Sequence, residues 1–313
     1  MVTTPPEAHN AAVSGLAGST LGGVLQTVAQ RLDVAGLYFG HGTDNAWDEA
    51  VLLVLSACDL PVEAGEEVLD HRVEGAQAQR IAHWLERRIT QRQPLPYLIG
   101  RAWFAGLEFG CDARALVPRS PLAEVIQDGF EPWWTGEEPQ RLLDLCCGGG
   151  SIGIASAVFN PVLQVTLADI SADALELARE NVTRHRVDER VQCVESDLFE
   201  AIGPARFDII LCNPPYVNHE DLVSMPAEYT AEPALGLASG DDGLDLTRRI
   251  LRDAGAFLAP RGILFLELGN SWTALDELLA ELALTWLDFR HGGHGVLLLH
   301  AHELPAVLRA LDG

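Results

Sequence analysis

Cationic residues are scarce in this chain: 21 stand against 45 acidic ones in 313 residues, a formal net charge of −24. Such a surface repels phosphate backbones over most of its area, so direct nucleic-acid binding is not expected, while a basic protein partner is favoured. No apolar run reaches the roughly 20 residues that cross a bilayer, and Met1-Val2-Thr3-Thr4-Pro5-Pro6-Glu7 lacks the cationic and apolar regions of a signal peptide. The expectation is a cytoplasmic protein with no membrane contact. Six cysteines form no Cys-x-x-Cys pair, in keeping with a reducing compartment, and the adjacent Cys146 and Cys147 read as strand-end thiols. His291/His294 and His300/His302 lack the Cys or carboxylate company of a zinc site, so no metal is expected. Trp47, Trp84, Trp103, Trp133 and Trp134 are not interleaved with basic residues and read as core or domain-contact side chains. No internal repeat is evident. What is abundant is apolar: 48% hydrophobic residues suffice for a large core.

The most informative segment is Asn213-Pro214-Pro215-Tyr216, directly after the apolar run Phe207-Asp208-Ile209-Ile210-Leu211-Cys212. The run reads as a buried parallel strand whose carboxyl end opens into a rigid loop, and ligand chemistry in open α/β sheets sits at such ends. The Asn213 side-chain carbonyl and the Pro214 backbone carbonyl can together accept both hydrogens of a planar NH2 group. A carboxamide or exocyclic amine is a poor nucleophile because its lone pair is delocalised. Holding both N–H bonds leaves the nitrogen facing an electrophile, with Tyr216 packed on the acceptor's flat face. A strand end closed by a Pro-Pro turn is the bland alternative.

Upstream, Arg141-Leu142-Leu143-Asp144-Leu145-Cys146 reads as a strand followed by Cys147-Gly148-Gly149-Gly150-Ser151-Ile152-Gly153 and a helix through Ala157. Gly148, Gly150 and Gly153 satisfy G-x-G-x-x-G, a pattern shared with dinucleotide-binding oxidoreductases. Asp144 before the glycines separates the readings, since it suits the ammonium of an amino-acid moiety. Val165-Thr166-Leu167-Ala168-Asp169 ends in a carboxylate about twenty residues past the glycine loop, the place for ribose hydroxyls. Val191-Gln192-Cys193-Val194 leads to Asp197, placed to accept from an adenine amino group, with Leu198 on its ring. Each acid taken singly is as well explained by capping or a solvated loop.

Glycine loop, Asp169, Asp197 and the Asn-Pro-Pro-Tyr loop, in this order, resemble the protein-glutamine N5-methyltransferase (HemK-like) family of class I S-adenosylmethionine-dependent methyltransferases. The stretches 40–49, 102–107, 116–121, 232–238, 240–245 and 292–296 resemble its ribosomal-protein branch, and the likeness runs from about Leu37 to about Leu304. The release-factor branch follows its Pro-Arg pair with Pro and an acidic Thr-Glu pair, where this chain has Ser120-Pro121. Cys147 and Gly149 stand where the family usually has Thr and Ser. The resemblance implies a Rossmann-like doubly wound α/β sheet with an antiparallel last strand, plus a small N-terminal helical domain. It implies S-adenosylmethionine as cofactor and S-adenosylhomocysteine as product, held by Asp144, Cys146, Gly148, Gly150, Asp169, Ile170, Asp197, Leu198 and Asn213. Asn213, Pro214, Pro215 and Tyr216 are the expected catalytic loop. Arg119 either pairs with the cofactor carboxylate or bridges the two domains. Glu228 and Glu232, after the loop, are candidates to gate the acceptor. The implied substrate is the basic third protein of the large ribosomal subunit. A peptide-release factor, or an adenine amine of nucleic acid, is the alternative acceptor. An oxidoreductase and a non-catalytic assembly factor are the rivals from other classes.

Composition and spacing place a disordered tail at 1–19, a helical substrate-recognition domain at 20–93, a β-hairpin linker at 94–118 and the catalytic domain at 119–313. Helical spacing runs over Leu21–Leu32, Asn45–Ala57 and Glu74–Arg92, the second capped by Thr43 or Asp44 with Trp47, Val51, Leu52 and Leu55 buried.

Overall fold

The computed structural model describes residues 15–312, which form two compact units: 15–101 together with 226–231, and 102–225 together with 232–312. Most of the expected tail lies outside the described residues. Its described end is packed, with Leu16 buried and the Gly18 N–H donating to the Val73 carbonyl.

The first unit is helical: α1 (Leu21–Val34), α2 (Ala46–Ala57), α3 (Gly75–Thr90) and α4 (Leu95–Ile99). Asn45, rather than Thr43 or Asp44, caps α2 by accepting from the Asp48 N–H at 2.9 Å. Thr43 instead bonds Glu49 at 3.2 Å. Trp47 is 50% exposed, because burial of α2 begins only at Glu49 and then runs nearly all round the helix. The segment 95–99, expected within a β-hairpin, is a helical turn. Pro96 sits where no intrahelical N–H is needed, and Gly100 closes the turn at φ 74. The chain contains no lysine, so every ion pair to a side-chain cation uses an arginine or histidine. The central one here is Arg88, 1% exposed, which bonds Glu49 at 2.6 Å, Glu228 at 3.2 Å and the Tyr38 carbonyl at 2.8 Å.

The second unit opens with a hairpin, β1 (Arg101–Phe104) and β2 (Leu107–Gly110). Ala105 and Gly106 both have positive φ, as the tight turn that matches strand twist requires. After α5 (Leu122–Gln127) the chain alternates: β3 (Arg141–Leu145), α6 (Ser151–Phe159), β4 (Gln164–Asp169), α7 (Ala172–His185), β5 (Val191–Glu195), β6 (Phe207–Cys212), α8 (His219–Ser224), α9 (Asp245–Phe257), β7 (Leu258–Glu267), α10 (Trp272–Leu278), β8 (Thr285–Trp286), β9 (Val296–His300) and α11 (Leu304–Asp312). The sheet order is β5-β4-β3-β6-β7-β9-β8, parallel except that β9 runs antiparallel to both β7 and β8. The doubly wound class I methyltransferase fold, with an antiparallel last strand, is the observed architecture.

Both faces of the sheet are covered, which explains the near-continuous apolar strands. Leu142, Ile209, Leu211, Ile263 and Phe265 pack on one face with residues of α5, α6 and α7. Leu143, Leu145, Ile210, Cys212, Leu264 and Leu266 pack on the other with residues of α9, α10 and α11. The chain winds outward from β3 through β4 to β5, then returns to place β6 on the other side of β3. The reversal opens a crevice at the carboxyl ends of β3 and β6.

Candidate active site

The last row of pairs across the sheet centre is Ala168, Leu145, Cys212 and Leu266. One residue further, Asp169, Cys146, Asn213 and Glu267 follow in the same order, so the sheet register lines up residues far apart in sequence at one rim.

At the end of β3, Cys146 (φ 60), Gly148 (φ 53) and Gly150 (φ 81) turn the backbone sharply into α6. A Cβ on Gly153 would overlap Leu167 and Asp144, so that glycine is needed for the helix to seat on the strands. Asp144 is fully buried. Its Oδ2 accepts from the Gly153 N–H at 2.7 Å, while its Oδ1 has no partner. Burial pushes its carboxyl up to about 8, the Gly153 N–H pulls it down, and the Asp169 charge adds to the rise.

Asp169 at the end of β4 accepts from the Gly148 N–H at 2.8 Å through Oδ2 and from the Ser171 N–H at 2.8 Å through Oδ1. Burial raises its carboxyl despite these bonds. Each oxygen retains a lone pair for a further donor. Ile170, next in the chain, is 50% exposed, a bare apolar side chain beside the rim. Beyond β5, Leu198 is buried at φ 50 and Asp197 pairs with Arg249 at 3.0 Å. A buried thiol stays protonated: Cys147 and Cys212 are both pushed well above their usual range, chiefly by burial.

The loop after β6 is held from several sides. Ser271 donates to the Tyr216 carbonyl at 2.6 Å, and Val217 pairs with the Leu237–Ser239 segment. A Cβ on Gly269 would strike the Tyr216 ring, one on Gly243 its carbonyl and Ser271, and one on Gly295 the backbone of Gly269. Gly243 of the 240–245 stretch and Gly295 of the 292–296 stretch thus leave room for the close packing around the Asn-Pro-Pro-Tyr loop, a role sequence spacing alone did not reveal. The Tyr216 hydroxyl bonds Glu267, which also accepts from Ser120 at 2.5 Å. Glu267 carries no comparable signal in the sequence, since, unlike Asp169, it does not stand at a fixed distance from the glycine loop.

Arg119 has both arms of its fork on Glu232, each at 2.6 Å, and Glu232 also accepts from the Val117 N–H at 3.0 Å. Both residues lie in the second unit, so this contact does not join the two domains. Glu228 and Glu232 are both engaged by arginines and do not stand free to gate an acceptor. Among the described residues, no cluster of three or more His, Cys, Asp or Glu side chains is arranged to hold a metal, and no helix is long and apolar enough to cross a membrane.

Residues 134–231 match the family model of the methyltransferase small domain. Curated relatives named ribosomal protein uL3 glutamine methyltransferase match most of the chain. The one from Xanthomonas campestris is 47% identical over 88% of this chain and 89% of its own. That from Francisella tularensis is 44% identical over 86% of both chains, and that from Bordetella pertussis 42% over 91% of this chain and 96% of its own. With this identity over nearly its whole length, on a methyltransferase fold with the Asn-Pro-Pro-Tyr loop at the switch point, the chain belongs to the ribosomal protein uL3 glutamine methyltransferase family.

Proposed function

We propose that the protein transfers the methyl group of S-adenosylmethionine to the side-chain amide nitrogen of a glutamine in the large-subunit ribosomal protein uL3, in the cytoplasm. The observation that carries the chemistry is the Asn213-Pro214-Pro215-Tyr216 loop at the carboxyl end of β6, across the switch point from the glycine turn that ends β3. The named relatives support the choice of acceptor.

The residues present fit the cofactor. Backbone at Cys146, Gly148 and Gly150 leaves close approach to the rim, Asp169 keeps lone pairs for two ribose hydroxyls, and Ile170, Asp197 and Leu198 supply apolar and acceptor groups for adenine. Asp144 Oδ1, buried without a partner, is the acceptor for an ammonium. Arg119, engaged by Glu232, braces the chain around the site. When bound, the cofactor supplies an electrophilic methyl on a sulfonium.

The protein's part is positioning and electrostatics. Asn213 Oδ1 and the Pro214 carbonyl take the two amide hydrogens, which points the nitrogen lone pair away from them. As the nitrogen loses electron density its N–H groups become more acidic, so these two bonds tighten in the transition state. The surplus proton then leaves to solvent. Net charge of −24 favours encounter with a basic ribosomal protein before assembly.

The test is labelled methyl transfer to isolated uL3 and, separately, to a peptide-release factor, with mass spectrometry of the modified residue. Preference for a uL3 glutamine is expected. Preference for the release factor overturns the acceptor, and label on nucleic acid overturns the class.

A further inference from the structure

Glu267 ends β7 and is 5% exposed, yet it takes no part in the reaction described above. It lies one residue past the Cys212–Leu266 pair, which sets it beside Asn213 at the rim. Its position within the sheet is firm, since Leu266 and the β9 partner Val296 are both fully buried. Two hydroxyls converge on its carboxylate. Ser120 Oγ reaches Oε2 at 2.5 Å while accepting from the Leu122 N–H at 3.1 Å, and the other is the phenol of Tyr216. Tyr216 is thereby gripped at both ends, by Ser271 on its carbonyl and by Glu267 on its hydroxyl. Only two residues separate it from Asn213, and both are prolines, so little slack remains between the gripped tyrosine and the carbonyls that face the amide.

We propose that Glu267 is the positioning residue of the acceptor loop: as a carboxylate it accepts from Tyr216 and Ser120 together, and so aims the Asn213 and Pro214 carbonyls at the amide. This rests on the proposed methyl transfer to a glutamine amide. Both hydroxyls donate to the carboxylate, and a protonated Glu267 turns one of its oxygens into a donor. Burial pushes its carboxyl up to about 7, against the pull of Ser120, Arg119 and Tyr216. The groups facing it are Ser120 and Arg119 from the segment ahead of α5, Tyr216 from the loop, and Cys212 of β6, whose thiol stays neutral. The grip therefore tightens as pH rises through neutrality.

The experiment is the pH dependence of uL3 methylation by the full chain, with calorimetry of S-adenosylmethionine binding at each pH. Wild-type kcat at saturating cofactor should rise with pH with a midpoint near 7, while cofactor affinity follows the Asp144 carboxyl and rises up to about 8. Glu267→Gln should lose the limb and run about 10-fold to 100-fold slower above it, with unchanged cofactor affinity. Tyr216→Phe should slow turnover similarly, and the double variant should be no slower than the slower single one, because one acts through the other. Ser120→Ala removes one donor to the ionised form and should move the midpoint upward, a reading that does not depend on either other variant folding. An unchanged limb in Glu267→Gln, multiplicative losses in the double variant, or an unmoved midpoint in Ser120→Ala overturns the proposal while leaving the reaction standing. A wild-type protein that leaves uL3 glutamine unmodified takes down both.

Discussion

Asp144→Asn should make the empty protein more tolerant of high pH while weakening cofactor binding. The carboxyl is fully buried and pushed up to about 8 from an ordinary 3.8. Between those values the folded protein keeps a proton that the unfolded chain has released, so stability falls as pH rises, by about 1.4 kcal/mol per pH unit for one group. From pH 4 to pH 7 this accumulates to about 4 kcal/mol, on the order of 10 °C in Tm for a chain of this size. Asn retains an oxygen for the Gly153 N–H, now bonded to Asp144 at 2.7 Å, and cannot titrate. Its NH2 replaces an oxygen that has no partner, at a cost of about 1–3 kcal/mol at every pH. Scanning calorimetry of both proteins from pH 4 to 8 should give diverging curves, with the variant flatter. The same reasoning governs binding. An ammonium arriving at Asp144 favours the ionised form, so wild-type protein should release close to one proton on binding cofactor at pH 7, seen as a buffer-dependent enthalpy. The variant should release none there and bind at least about tenfold more weakly. Parallel stability curves, or equal proton release, would refute the buried neutral carboxyl.

Asn213→Ala should leave cofactor affinity nearly intact and lower turnover by about 10²-fold to 10³-fold in single-turnover assays, the scale for losing one contact that tightens in the transition state. Asp169→Ala should do the reverse, with calorimetric affinity down at least about tenfold from the loss of charge-assisted bonds to hydroxyls that do not react. Gly269→Ala places a side chain at φ 46 against the Tyr216 ring and should lower kcat with little change in cofactor affinity, measured by the same two assays. Arg88→Met leaves the buried Glu49 without a cation and Glu228 with only Arg92 at 3.5 Å, and should destabilise the helical unit by about 3–5 kcal/mol, read by hydrogen exchange in α2 and α3.

Much of the fold was legible without coordinates because its signals are local. Leu142 through Leu145 and Ile209 through Cys212 are strands buried on both faces, and such runs announce themselves by composition over five or six residues. Asp169 and Asn213 stand out as candidates because each ends such a run at a fixed place in the order of the motifs. Errors fell where local signals compete: three polar residues in a row before α2 each suit a cap, and the Pro-rich 94–100 segment carries turn residues that close a helix as readily as a hairpin.

Neighbouring residues alone carry the class of the sheet, the acids and glycines at strand ends, and the family they resemble. The partners of these side chains come from the folded arrangement. Arg119 meets Glu232 across 113 residues, and Ser120 meets Glu267 across 147. The strand order puts β6 and β7 side by side, so that Tyr216 and Glu267 come together after fifty intervening residues. The depth of Asp144, and with it a carboxyl that titrates near 8, likewise follows from α6 seating on β3 and β4. Periodicity is written into neighbouring residues, whereas a side chain's partners and its exposure to water depend on which distant segments the sheet register brings to the same rim.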